Sequence, residues 1–67
     1  MTTYIVDVER EGDRLLASVR NLPGAHTFAD EFSALDAAVR EVIALVADLP
    51  PSDQDDLDVA YAFAVPA

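Results

Sequence analysis

The feature that most limits how this chain can fold is a change in the spacing of its apolar residues. Residues 4–9, 14–20 and 57–65 alternate apolar side chains with polar or small ones, which is typical of strands with one buried face. Residues 33–49 instead repeat apolar side chains every three or four positions, as one face of a helix does. The pattern therefore predicts a sheet that is covered on one side by one helix.

Two turns separate the first three predicted strands. Glu11-Gly12-Asp13 is typical of a hairpin turn, because glycine and aspartate tolerate the positive φ that such turns require. Asn21-Leu22-Pro23-Gly24 predicts a type II turn, with proline presetting one position and glycine the next. A short third strand, about Ala25 to Phe28, is expected to follow it.

The predicted helix has start and stop signals at both ends. Ser33 is expected to be the N-cap, with Asp36 at the third helical position as in a capping box. Asp36 and Arg40 are four residues apart and should form an ion pair on the face opposite the apolar one. Pro50-Pro51 should end the helix, and Ser52–Asp56 should form a polar connector.

Together these elements predict one two-layer α+β domain over residues 1–67. The order is βββαβ, with a four-stranded sheet and one helix on one face. Because the fold uses nearly every residue, we expect no appended DNA-binding domain. The helix should bury Leu35, Val39, Val42, Ile43 and Val46 against Val6, Val8, Ala17, Val19, Val59, Tyr61 and Phe63.

Charge limits the partners that such a domain can have. The 67 residues include 13 acids and 4 arginines, giving a net charge of -9. A surface of this kind repels phosphate backbones and anionic membranes, so the chain alone is not expected to bind nucleic acid, and a basic protein is the expected partner. The absence of cysteine and of a signal-peptide pattern indicates a reducing compartment, and we expect a cytoplasmic protein.

Several fragments of the chain occur in an order and spacing that are found together in one protein family. They are Tyr4-x-Val6-x-Val8-Glu9, Glu11-Gly12-Asp13, Asn21-Leu22-Pro23-Gly24-Ala25-His26-Thr27 and Val39-Arg40-Glu41-x-Ile43. In this arrangement the chain resembles the HicB-like antitoxin family over about residues 4–65. Members often carry glycine two residues after the threonine, where this chain has Ala29.

The resemblance implies a fold and a function. The family's domain is a partial RNase H-like fold of order βββαβ. Its members are antitoxins of type II toxin-antitoxin systems, which bind a small, basic, mRNA-cleaving toxin of the HicA type and cover its RNA-binding surface. The resemblance therefore implies a protein that inhibits by masking and is not itself an enzyme.

Three constellations could carry chemistry instead, and each is incomplete. Asp7 and Glu9 could begin a metal site of the RNase H type, but the further carboxylates that two metal ions need do not follow. The run from Asp53 to Asp58 lacks the glycine and the glutamate of a calcium loop. His26, the single histidine, has no evident nucleophile. We therefore expect no catalytic residue, no metal site and no cofactor.

Two groups of residues are predicted to contact partners. Asp7, Glu9, Asp30 and Glu31 should face the toxin and steer its approach. A mildly apolar patch on the sheet face away from the helix should support a homodimer or higher homo-oligomer; it consists of Ile5, Leu16, Ala60, Ala62 and Ala64. Two alternatives remain open: a self-associating acidic adaptor or small regulator with the same fold, and a degenerate RNase H-like enzyme.

Overall fold

The computed structural model describes residues 2–63 and places all four strands in one sheet. Its elements are β1 (Thr3–Glu11), β2 (Arg14–Val19), β3 (His26–Ala29), the helix α1 (Phe32–Val46), the 3₁₀ helix η1 (Pro51–Asp56) and β4 (Asp58–Phe63). The sheet order is β3-β2-β1-β4, with β4 parallel to β1 and the other neighbours antiparallel. The predicted α+β class, element order and single-helix layer are confirmed.

The β1–β2 hairpin closes through the predicted turn. Glu11 lies opposite Arg14, so Gly12 and Asp13 form a two-residue loop. Gly12 has φ 61°, whereas Asp13 does not adopt positive φ. One positive φ, at the first central position, is the pattern of a type II′ turn, whose twist matches that of the two strands.

The second turn has the predicted geometry and sets the start of β3. Gly24 has φ 91°, and the Ala25 backbone N–H donates to the carbonyl oxygen of Leu22 at 3.1 Å, as a type II turn requires. The carbonyl oxygen of Ala25 in turn accepts from the Val19 N–H at 3.0 Å. The strand begins at His26, one residue later than the sequence pattern indicated.

The side chain of Asn21 extends the sheet beyond the end of β2. Its Oδ1 accepts from the Ile5 backbone N–H at 3.0 Å, and its Nδ2 donates to the Thr3 carbonyl oxygen at 2.9 Å. A side-chain amide carries one acceptor and donors in the arrangement of a peptide unit. It therefore bonds the first residues of β1 where β2 no longer runs beside them.

The helix begins before the predicted cap. Its first residue is Phe32, and the N-cap is Glu31, which has extended backbone angles and whose carbonyl oxygen accepts from the Leu35 N–H at 3.0 Å. Ser33 lies inside the first turn, and its hydroxyl donates to Glu31 Oε1 at 3.0 Å. The predicted role of Ser33 as N-cap is therefore wrong, because the helical hydrogen bonds start two residues earlier.

The helix also ends earlier than the two prolines predict. Asp48 has φ 57°, and its N–H donates to Leu45 O at 3.4 Å, while the Leu49 N–H donates to Ala44 O at 2.8 Å. This pair of bonds is a Schellman motif, which stops the helix at Val46. Leu49 thereby leaves the helix and packs against the core.

The core lies between the helix and the central strands. Its buried residues are Val6, Val8, Ala17, Val19, Ala25, Leu35, Val39, Ile43 and Ala44. Of the residues predicted to be buried, Val42, Val59 and Tyr61 are half-buried and two are exposed: Val46 by 40% and Phe63 by 56%. Val46 is in the last helical turn and Phe63 at the end of an outermost strand, where neighbours are missing on one side.

The helix contacts the two halves of the sheet differently. Its Cα atoms come within 8 Å of β2, β3 and η1, but not of β1 or β4 among the described residues. Toward β4 it extends through side chains instead, including the Phe32 ring, whose centroid is 4.9 Å from that of Tyr61. The sheet therefore has one half close to the helix backbone and one half linked to it by long side chains.

A cluster of polar groups joins the helix to β4, and we call it the polar clasp. The predicted ion pair between Arg40 and Asp36 forms, at 3.2 Å. Arg40 Nη1 also donates to the carbonyl oxygens of Gln54, at 3.1 Å, and Leu57, at 2.9 Å. The hydroxyl of Tyr61 donates to Asp36. The predicted ion pair therefore forms, but it is partly buried between the helix and the connector instead of lying on the face opposite the apolar one.

The polar clasp shifts the pKa values of its two acidic members in opposite directions. The hydrogen bond from Tyr61, followed by the bond and charge of Arg40, holds the pKa of Asp36 below its usual value. Burial, together with the bond to the Asp36 carboxylate, raises the pKa of Tyr61. Both shifts favour the ionised carboxylate and the neutral phenol at neutral pH.

Candidate interaction surface

The sheet face away from the helix is open to partners, and we call it the outer face. Because side chains alternate along each strand, the registers assign one set to this face. It includes Ile5, Asp7, Glu9, Leu16, Ser18, Arg20, His26, Phe28, Ala60 and Ala62. A shallow depression of about 380 Å³ lies over its β1–β2–β3 part.

Asp7 is ion-paired. Arg20 donates to it through two atoms, from Nη2 to Oδ1 at 2.6 Å and from Nε to Oδ2 at 3.1 Å. The hydrogen bond from Arg20 holds the pKa of Asp7 below its usual value. Two positions along the strand, Glu9 is exposed and forms no ion pair with another described residue. The predicted pair of acids on β1 therefore consists of one compensated and one uncompensated charge.

Ser18 and His26 are brought together by the β2–β3 register. Ser18 Oγ lies 2.9 Å from His26 Nδ1, and Asp7 lies opposite Ser18 on the other side. In a serine hydrolase the carboxylate binds the histidine, on the ring nitrogen that does not contact the serine. Here Asp7 lies beyond the serine and is bound to Arg20. Asp7, Ser18 and His26 therefore have the residue types of a catalytic triad but not its geometry.

The predicted apolar patch divides into two parts. Ile5 lies opposite Ala60, and Ala62 follows on the same face, so these three residues come together on β1 and β4. Leu16 lies apart from them, on β2, between Glu9 on one side and Phe28 on the other. Ala64 lies outside the described residues.

The largest apolar side chain of the outer face was missed by the sequence analysis. Phe28 is 58% exposed, and the guanidinium carbon of Arg14 lies 5.0 Å from its ring centroid. The expected strand included Phe28 but did not assign it to a face, since a four-residue strand gives too little alternation to do so. The register with Leu16, which the hairpin and the type II turn determine, could have assigned it.

The other two predicted toxin-facing acids lie elsewhere. Asp30 and Glu31 occupy the turn between β3 and α1, and both are exposed. Glu31 is the N-cap of the helix and accepts the Ser33 hydroxyl. The four predicted acids therefore belong to two places, the centre of the outer face and the turn beyond the β3 edge.

Charge is unevenly distributed over the molecule. The outer-face positions of the strands carry four acids, Asp7, Glu9, Glu11 and Asp58, against Arg14 and Arg20. The other nine acids share only Arg10 and Arg40, and Arg40 is held inside the polar clasp. The helix side and the connectors therefore carry most of the negative charge, while the outer face is closer to neutral.

Other chemistry has little support among residues 2–63. No three histidine or acidic side chains there converge so that they could hold a metal ion, and the run from Asp53 to Asp56 belongs to η1. Asp58 instead accepts a hydrogen bond from the Thr3 hydroxyl at 2.7 Å. Within the same range, no helix combines the length and apolarity needed to cross a lipid bilayer.

Comparisons with protein-family models, with curated proteins and with solved structures found no match to this chain.

Proposed function

We propose that this protein is an antitoxin that binds a small, basic, mRNA-cleaving toxin of the HicA type and masks its RNA-binding surface. The observation that carries the proposal is the large excess of acid on a folded surface. Of the 13 acidic residues, only Asp7 and Asp36 form ion pairs with described residues. The fragments that resemble the HicB-like family supply the identity of the partner.

Masking is expected because RNA and this acidic protein would compete for the same cationic side chains of the toxin. A nuclease of this class binds RNA through cationic side chains that contact phosphates, and such contacts supply most of the nonspecific affinity. Exposed carboxylates can engage the same cations, so a bound acidic protein excludes RNA without any catalytic step. The protein would then act where mRNA is found, in the cytoplasm.

The acids are expected to contribute unequally. Glu9, Asp30 and Glu31 are exposed and form no ion pair with a described residue, so their charges are available to a cationic partner. Asp7 is already neutralised by Arg20, and we expect it to add less. The remaining acids on the helix side and in η1 add to the long-range field that guides the encounter.

Co-purification from the native host tests the proposal directly. We expect a small basic protein to co-purify that cleaves RNA when free and stops cleaving when the chain is added back. If the chain alone instead shows metal-dependent nuclease activity, the proposal is wrong and the RNase H-like alternative is favoured.

Association kinetics test which acids matter. Salt screens charges over about 10 Å at 0.1 M, so the on-rate for the toxin should fall as ionic strength rises. The triple variant Glu9→Gln, Asp30→Asn, Glu31→Gln should slow association more than a control with the same charge change in η1, namely Asp53→Asn, Asp55→Asn, Asp56→Asn. Equal effects would mean that only the net charge is sensed, and a salt-independent on-rate would contradict electrostatic steering.

A self-associating acidic adaptor is the second candidate. The exposed apolar side chains of the outer face, Phe28 above all, favour it, since monomers seldom leave such groups uncovered. A stable homo-oligomer from the native host, with no basic partner bound, would support this function over the first.

A further inference from the structure

The two edges of the sheet differ in how they are protected. The β3 edge has four residues, follows the Pro23-Gly24 turn and precedes two acids. Within residues 2–63, β4 is the other edge, and its last five residues, 59–63, contain no charge, proline or glycine. Natural edges are usually blunted by lysine, proline, bulges or short length, because an unblunted edge pairs readily with another strand. Residues 59–63 of β4 lack these protections, and Asp58 is the one charged residue of the strand among those described.

Exposed aromatic side chains lie next to the same edge. Phe63 is 56% exposed and Phe32 is 42% exposed, and their ring centroids are 5.6 Å apart. Phe63 is the last described residue of β4, which the helix backbone does not approach, and Phe32 is the first residue of the helix, with its ring directed towards β4. The unprotected edge and the exposed aromatic surface therefore coincide at β4.

Charge decides which partner fits this edge. A basic protein finds no acid along residues 59–63 to pair with, whereas a second copy, carrying the same charge of -9, can approach most closely where acids are absent. We propose that two copies pair through β4, antiparallel and about a two-fold axis, to form one eight-stranded sheet with both helices on the same face. This dimer is independent of the toxin proposal.

The pairing keeps like charges apart. In an antiparallel pair, the side chains of opposite residues point to the same face of the sheet. A two-fold axis perpendicular to the sheet can therefore place one residue opposite the same residue of the second copy. With the axis at Ala60, Asp58 lies opposite the partner's Ala62. With the axis at Tyr61, Val59 lies opposite the partner's Phe63 and Ala60 opposite the partner's Ala62. Neither register places Asp58 opposite Asp58.

Disulfide trapping tests this geometry, because the chain contains no cysteine and each variant adds a single thiol. Opposite Cα atoms of antiparallel strands are about 4.5–5.5 Å apart, within the range that a disulfide spans. With the axis at Ala60, Ala60→Cys alone should form a covalent dimer on mild oxidation. With the axis at Tyr61, an equimolar mixture of Ala60→Cys and Ala62→Cys should form it instead. Ala37→Cys, exposed on the helix, is the control and should remain monomeric.

The same trapping separates edge pairing from stacking of two outer faces. Stacked sheets lie about 10 Å apart, which exceeds the reach of a disulfide. A non-covalent dimer seen by light scattering, with no disulfide from either alanine position or the mixture, would therefore overturn the proposal. So would a constant monomer mass from micromolar to millimolar concentration, or equal trapping by the Ala37→Cys control.

Two substitutions test the affinity. Ala60→Glu places carboxylates at or next to the axis and should weaken the dimer at least about tenfold. Its matched control, Ala37→Glu, makes the same change on an exposed helical position and should leave the dimer unchanged. Phe63→Ser should also weaken the dimer, whereas Leu16→Glu, on the outer face away from the edge, should not. A dimer disrupted by Leu16→Glu alone would mean that the outer face is the interface.

Discussion

The two halves of the sheet are attached to the helix by different kinds of interaction. Over β2 and β3 the helix backbone lies close, and Leu35, Val39 and Ile43 are completely buried. Over β4 the attachment is made by side chains: Val59 and Tyr61 pack against the core, the Phe32 ring lies against Tyr61, and the polar clasp adds hydrogen bonds. The first half is held by apolar burial, which tolerates small displacements, whereas the second combines apolar packing with directional bonds that require particular atoms.

The two attachments differ in their chemistry. The helix residues buried over β2 and β3 are apolar, whereas the polar clasp contains ionisable groups, and Phe32 and Phe63 next to it are exposed. Substitutions in the two halves should therefore differ in size and in their dependence on pH.

The largest effect is expected in the apolar half. Ile43→Ala removes a completely buried side chain and should lower the free energy of unfolding by about 2–5 kcal/mol, much of what a domain of this size has. Leu45→Ala, at a helical position that is 78% exposed, is the control and should change it by less than about 0.5 kcal/mol. Urea denaturation measures both, and similar midpoints would mean that the buried helix face is misassigned.

In the polar clasp, Arg40→Ala should have the next largest effect. It removes the Nη1 donor from the carbonyl oxygens of Gln54 and Leu57 and the cation from Asp36, and should cost about 1–3 kcal/mol. Arg40→Lys keeps the charge but cannot reproduce the planar arrangement of donors, so it should recover only part of the loss. If Arg40→Lys recovered the full stability, the polar clasp would stabilise the protein through charge alone.

Tyr61→Phe should change how stability depends on pH. The folded-state pKa of Asp36 is lowered, so the stability it contributes is present above the unfolded value and lost as pH falls below about 4. The folded-state pKa of Tyr61 is raised, so its contribution is present below about pH 10 and lost as pH rises above it. The variant should therefore show a smaller acid loss and no alkaline loss from this residue. Denaturation at pH 3–5 and above pH 10 measures both.

Arg20→Ala should have the smallest effect on stability. Its pair with Asp7 is exposed on the outer face, and exposed ion pairs contribute little to stability. The pKa of Asp7 should nevertheless rise towards its usual value, because the hydrogen bond that lowers it is removed. An NMR titration of the Asp7 carboxyl group measures this, and an unchanged pKa would mean that the pair does not persist in solution.

Most of the fold could be predicted from the sequence because local patterns determine it. Alternation assigned the faces of β1 and β2, and Pro23-Gly24 determined the type II turn. The helix ends were wrong because both depend on backbone hydrogen bonds: one that starts at Glu31, and a Schellman motif at Asp48. Ser33 and Pro50-Pro51 are also common signals for the start and the end of a helix. The sequence alone does not show which of the possible signals is used at each end.

The surface was less predictable, because it depends on which strands are neighbours. The sequence placed Asp7 and Glu9 on one face but not the Arg20 side chain beside Asp7. It also placed Leu16 with Ile5 in one patch, whereas the registers separate them. Exposure of Phe63 follows from the outermost position of β4, and strand order cannot be obtained from the spacing of apolar residues.

The parallel pairing of β1 with β4 has a consequence for the order of folding. The β1–β2 hairpin joins residues close in the chain and can form early, whereas Thr3 and Asp58 pair across most of the chain. Pairing of distant residues is slow, since a long loop must close first. During synthesis, β1 therefore has an unpaired side until residues 58–63 have been made and released. We expect a nascent chain stopped before residue 58 to associate with other chains more readily than the finished protein.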